Sequence, residues 1–309
     1  MNNCREKLLI AILITILIPS IIYIYWINNI KTALPSVFIE DFKAVPNDRI
    51  DDTDQIQEAI NHLNKHGGGV IKFQKGIYLV DAVKSIQLKD NITLEFKKGS
   101  ILKALPNSAE GYEMLSIHDV KNIEILGAVK IIGERNEHLG VTGEWGIGIS
   151  IKGSTGVHIE KSTITNCWGD GIYIGRSNKK KYSKNITIEN VKFHNNRRQG
   201  ISIISVINLK ATNINVNNTN GTKPASGIDL EPNRPDEFLQ NVEIVNLYTK
   251  NNQGYGLLFA IGRLSESENY INIKVTNTKN IKDNIGIFVP NRIKGKIKIG
   301  DEYILNTSR

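Results

Sequence analysis

Gly148-Ile149-Ser150-Ile151, Gly171-Ile172-Tyr173-Ile174, Gly200-Ile201-Ser202-Ile203, Gly227-Ile228-Asp229-Leu230, Gly256-Leu257-Leu258-Phe259 and Gly286-Ile287-Phe288-Val289 repeat one phrase: glycine, an aliphatic residue, a variable residue, then an apolar one. Successive glycines stand 23, 29, 27, 29 and 30 residues apart. A second phrase, asparagine then an aliphatic residue, runs out of phase at Asn122-Ile123, Asn185-Ile186, Asn208-Leu209 and Asn241-Val242. Alternating apolar residues make half-buried strands, and a fixed period of this length marks stacked repeats. So short a unit cannot bury its own apolar face, so neighbours must stack into a continuous core. The expected fold is all-β: a single-stranded right-handed parallel β-helix, with function in the outward residues that depart from the repeat.

Upstream of the repeats, Asp52-Thr53-Asp54-Gln55-Ile56-Gln57-Glu58-Ala59-Ile60 opens a helix, with Asp52 and Gln55 spaced as a capping box. Ile56, Ile60 and Leu63 share one helical face, and His66-Gly67-Gly68-Gly69 ends it. An amphipathic helix laid over the raw end of a β-helix is expected to act as its N-terminal cap, over residues 38–69, within a β-helix domain at 38–309. Longer excursions at 133–146, 175–184, 217–226, 231–240 and 262–269 are expected to be loops beside a binding face.

Residues 8–27, LLIAILITILIPSIIYIYWI, carry no charge and are long enough to cross a bilayer. Arg5 and Lys7 precede them, so residues 1–7 are expected to be a cytoplasmic tail, 8–27 an uncleaved transmembrane signal anchor and 28–37 a linker. The β-helix would then lie outside the cytoplasm. Cys4 and Cys167 fall on opposite sides of that membrane and cannot pair within one chain. With no Cys/His cluster, no metal or other cofactor is expected, and nothing indicates Ca²⁺. The formal net charge of +8 suits an anionic partner such as an acidic polysaccharide. The basic residues carry no nucleic-acid motif, so no nucleic-acid partner is expected. Arg292, Lys294, Lys296 and Lys298 read as a solvated final strand.

Stacking the glycine phrases puts Ile147, Asp170, Gln199, Ser226, Tyr255 and Ile285 in one column. Ser150, Tyr173, Ser202, Asp229, Leu258 and Phe288 form a second, and Lys152, Gly175, Ile204, Glu231, Ala260 and Pro290 a third. Polar groups converge on the central coils. Asp229 and Glu231, two apart on a strand, face the same way with Cα atoms roughly 6.5 Å apart. They suit carboxylates flanking a glycosidic bond, or a base that abstracts a proton beside a uronate carboxyl; a structural role, bonding loop amides, is the alternative. Asp170 is the third candidate acid. Arg197, Arg198 and Gln199 lie in the coil between and would hold substrate carboxylates. Trp168 and Tyr173 would stack on sugars, His194 is a further polar candidate, and Glu144-Trp145 would wall one end of the groove.

The run Asp41 to Val80, with Asp51-Asp52-Thr53, Ile56-Gln57-Glu58-Ala59-Ile60, the triple glycine and Gly76-Ile77-Tyr78, resembles the entry segment of the pectate-lyase-like β-helix superfamily. Its members include polygalacturonases, mannuronan epimerases and phage tailspike depolymerases. Together with the repeats the resemblance covers residues 38–309. Ser226-Gly227-Ile228-Asp229 and Asn196-Arg197-Arg198-Gln199-Gly200-Ile201 are similar to epimerase motifs, which implies Asp229 and Arg198 as site residues. The implied function is a polysaccharide-active enzyme of the cell envelope, its reaction open between hydrolysis, elimination and epimerisation. A non-catalytic glycan-binding or assembly protein is the other reading.

Overall fold

The computed structural model describes residues 34–307. The expected tail, the anchor at 8–27 and most of the linker lie outside the described residues. Among those described, no helix is long and apolar enough to cross a membrane.

From Ser36 onward the chain winds as a stack of coils whose strands pair in parallel with those above and below. One wall is an eight-stranded sheet: Ile86–Gln87, Gly111–His118, Trp145–Lys152, Asp170–Gly175, Gln199–Ile203, Ser226–Leu230, Leu257–Ala260 and Ile285–Phe288. Two more ladders make the other walls. They merge where Val206–Asn217 and Leu239–Lys250 run through both, turning at Asn213 and Asn246 with φ of 55° and 58°. Inside, Ile149, Ile172, Ile201, Ile228 and Leu257 sit in register and fully buried. Each such side chain contributes about 1.5–3 kcal/mol of burial.

The leading glycines have a steric cause. A Cβ on Gly148 would lie 2.7 Å from the carbonyl oxygen of Gly171, and one on Gly171 2.7 Å from that of Gly200. Gly200 and Gly227 repeat the contact at 2.5 Å with Gly227 and Gly256. Only a hydrogen fits between successive rungs. Gly200→Ala is therefore expected to destabilise the chain by about 1–3 kcal/mol, read as a lowered urea midpoint; an unchanged midpoint would mean that the rungs separate freely.

The second phrase has a different origin. Asn91, Asn122, Asn185, Asn208 and Asn241 all take positive φ, between 52° and 61°, which asparagine tolerates better than other side-chain-bearing residues. Their carboxamides form a ladder: Asn122 donates to Asn91 at 2.8 Å, Asn208 to Asn185 at 2.8 Å and Asn241 to Asn208 at 2.9 Å.

Three expectations are corrected. The sixth phrase is out of register by two residues: Leu258 pairs with Gly286, not Phe288, because Asn284 continues the glycine column and its carbonyl accepts the Gly256 N–H at 2.8 Å. The helix Thr53–Lys65 buries Ile56, Ile60 and Leu63 as expected, but the capping box does not form. Asp52 instead accepts the N–H groups of Val45 and Leu79, at 3.2 and 3.0 Å, tying the helix start to the first coil. Finally, Gly295–Ile299 is not the last strand, since Glu302–Asn306 folds back antiparallel on it.

Candidate active site

The outer face of the eight-stranded sheet is flanked by loops. Residues 133–144 and 218–225 lead into Trp145–Lys152 and Ser226–Leu230, and residues 176–182 and 231–238 leave Asp170–Gly175 and Ser226–Leu230 on the other side. The floor between them follows the expected column, with Ser150 beside Tyr173, Tyr173 beside Ser202, and Ser202 beside Asp229.

Asp229 is 0% exposed. Its Oδ2 accepts the Gln199 Nε2 donor at 2.8 Å, and Gln199 Oε1 accepts the Ser226 N–H at 3.0 Å, so Gln199 fixes Asp229 rather than a substrate. Oδ1 is buried and takes no N–H or O–H donor among the described residues. Burial, then the charge of Glu231 and a hydrogen bond with it, push Asp229 well above the ordinary aspartate range; Arg198 only partly opposes them. The protonated form of Asp229 is thereby favoured, and Glu231 is the carboxyl it meets. The Glu231 side chain is 36% exposed, the most open member of the group. It borders a cleft of about 850 Å³ with Pro232, Arg263 and Phe288.

Arg198 joins this pair to the third carboxyl. Its Nη1 lies 3.2 Å from Asp170 Oδ2 and its Nη2 3.5 Å from Glu231 Oε2. Asp170, 1% exposed, also accepts the Ser202 hydroxyl at 2.8 Å. Burial pushes Asp170 up against the pull of Arg198 and Ser202. Burial pulls the Arg198 guanidinium down, but Asp170 and Glu231 outweigh it and hold it above its ordinary range. Asp170, Arg198, Gln199, Asp229 and Glu231 are therefore one network across three coils.

Other candidates fall elsewhere. Arg198 is held by two carboxylates and is not free to grip a third. Arg197 donates from Nη1 to the Gly143 carbonyl at 2.8 Å, and its guanidinium lies 3.8 Å from the Trp168 ring. His138 stacks on Trp168 at 3.8 Å, so that indole is engaged inside the protein instead of facing sugars. Beneath them Glu134, fully buried, accepts from Tyr112 and pairs with His138. His194 lies on a different wall, exposed and 3.3 Å from Asn218, away from the carboxyls. Tyr173 lies on the same outer face but lines a cleft other than that of Glu231; burial first, then Glu237 and Asp170, push its phenol up to about 12, so it stays a hydrogen-bond donor.

Sequence reasoning missed Glu113, His118 and Lys152. Glu113 lies 2.6 Å from Lys152 Nζ and 2.9 Å from His118 Nε2. Burial would raise Glu113, but those two partners outweigh it and hold it at about 2. Their strand, Gly111–His118, has Met114 where its neighbour has Gly148, so it lacks the leading glycine that flagged the other coils.

The raised Asp229 has a thermal consequence. A carboxyl whose folded-state pKa exceeds the unfolded one stabilises most below the unfolded value, and that contribution fades as pH rises through the folded value. Asp229→Asn removes the ionisation while an amide still meets Gln199 and Glu231. The variant is expected to lose less Tm than the native chain between pH 5 and the alkaline range; parallel Tm–pH curves would rule out the raised value.

The family described as "Right handed beta helix region" matches residues 128–289, just over half of the chain. The chain belongs to this family. Among curated proteins it is 30% identical over 241 residues to the uncharacterized protein YclG of Bacillus subtilis strain 168, covering 70% of this chain and 41% of that protein. It is 25% identical over 253 residues to the SPbeta prophage-derived uncharacterized protein YorA of the same organism, covering 72% and 43%. The chain thus spans about two fifths of the length of these relatives. Among solved structures it resembles an ι-carrageenase from A. fortis, with a TM-score of 0.63, 18% identity, and 80% of this chain and 53% of that one covered. At that identity the likeness is one of fold.

Proposed function

We propose that this β-helix is a polysaccharide-active enzyme of the cell envelope, carried outside the cytoplasm by the apolar segment 8–27, with Glu231 as its proton-transferring group. The observation that carries the reading is the Asp229–Glu231 pair: a fully buried carboxyl behind a partly exposed one that borders a cleft. Like charges in contact cannot both ionise, so the pair keeps one proton at neutral pH. Asp229 and Gln199 are then positioning residues. Arg198, anchored by Asp170, holds the Glu231 carboxyl at the cleft edge.

Among hydrolysis, elimination and epimerisation, a pair that shares one proton favours hydrolysis: the proton passes from Asp229 through Glu231 to the leaving oxygen, and the attacking water returns one to the pair. Elimination and epimerisation start from an ionised base and a neutralised uronate carboxyl, and Arg198 is already committed to two carboxylates. The basic charge of the chain suits an anionic glycan. The test is to incubate the full chain with acidic polysaccharides and follow reducing ends and ultraviolet absorbance together. New reducing ends without absorbance are expected. Absorbance rising with them would replace hydrolysis by elimination; neither signal would leave epimerisation, read from the uronate composition of the recovered polymer by NMR, or, with that unchanged, a glycan-binding protein.

A further inference from the structure

The same wall carries a second cleft, of about 540 Å³, lined among others by Val83, Tyr112, Glu113, Trp145, Lys152 and Tyr173. Its lining lies two to five rungs before the strand of Asp229, or roughly 10–24 Å at about 4.8 Å per rung. Trp145 is 48% exposed, with one side of its ring toward Arg198 at 5.1 Å, so it stands between the cleft and the carboxyl network. Opposite, Lys152 Nζ lies 5.3 Å from the Tyr173 ring and 2.6 Å from Glu113. His118 Nε2 meets both Glu113, at 2.9 Å, and the Ser150 hydroxyl, at 3.2 Å. A half-exposed indole, a phenol that keeps its proton and a fixed carboxylate–ammonium pair form one concave surface. This is what a pyranose ring demands: an aromatic plane for its C–H face, and charged donors and acceptors for its hydroxyls.

We infer that this cleft is a glycan subsite, in which Trp145 stacks on a sugar of the same polymer whose bond reaches Glu231, and the Glu113–Lys152 pair holds its hydroxyls. The inference rests on the proposed function for its polymer, but its binding does not depend on turnover. The distance between the two clefts asks for a chain of several sugars. Short oligosaccharides would fill one cleft and long ones both.

The test measures binding in the full chain carrying Glu231→Gln, on an array of acidic and neutral bacterial, algal and plant polysaccharides, with fluorescence titration of those that bind. Addition of Trp145→Ala is expected to weaken binding at least tenfold and to abolish the fluorescence response, whereas Trp145→Phe restores most of the affinity. Glu113→Gln is expected to weaken binding with the stacking response retained. An unchanged melting temperature in Trp145→Ala, whose ring is half exposed, separates lost contact from lost fold. Undiminished binding in Trp145→Ala, or no binding by the Glu231→Gln chain to any polysaccharide, overturns the subsite. Failure of the enzyme reading looks different: Trp145-dependent binding persists while the native chain turns nothing over.

Discussion

Glu231→Gln is expected to lower turnover on the chain's polysaccharide by about 10²- to 10⁴-fold, the range of a lost general acid. Glutamine keeps the size of the side chain and can still meet Arg198, so the loss should fall on kcat with KM little changed. The partly exposed position also predicts a melting temperature close to native. Asp229→Asn should cost less activity, since it keeps a hydrogen bond to Glu231 but no longer supplies a proton. If Glu231→Gln retained native turnover while Asp229→Asn lost it, the reacting carboxyl would be the wrong one of the pair.

Arg198→Met is the second large effect, and it concerns stability. Removing one partner of a buried ion pair costs about 3–5 kcal/mol, because the other charge is left in a medium that cannot solvate it. Here the stranded group is Asp170, left with Ser202 as its remaining side-chain donor among the described residues. Adding Asp170→Asn to Arg198→Met should recover much of the loss, since the carboxylate that still loses its partner, Glu231, is partly solvated. Urea denaturation of the two single variants and the double variant measures this coupling directly. Additive losses would show that Asp170 and Arg198 do not depend on each other.

The coil stack was legible because its causes are local and recur. Each leading glycine answers a neighbouring carbonyl, and each asparagine of the second phrase answers a left-handed turn, so both leave one letter per coil. The register of the first five phrases followed from those letters. The sixth failed because Asn284 continues the column, and a nearby glycine served as a false marker. The carboxyl network was legible for the same reason as the register: once Asp170, Gln199 and Asp229 are stacked, Arg198 and Glu231 have few places to go. Side chains that leave the column were not. Arg197 and Arg198 are neighbours in sequence, yet one reaches forward to Glu231 and the other back to Gly143 and Trp168, a divergence set by loop 133–144. Lys152 stood in the third column, but Glu113 and His118 belong to a rung with no leading glycine, so no repeat announced the partners it meets.

The stack of glycines separates two kinds of freedom. Rung height is capped by a hydrogen atom, whereas the circumference of each turn is unconstrained, as the uneven spacing of 23 to 30 residues records. Loops such as 176–182 or 231–238 can be lengthened or exchanged between related chains while the floor beneath keeps its pitch. A chimera spliced within the loops should fold, and one spliced through a glycine should not. Selectivity for new polymers is thus open to change without redesign of the scaffold that presents it.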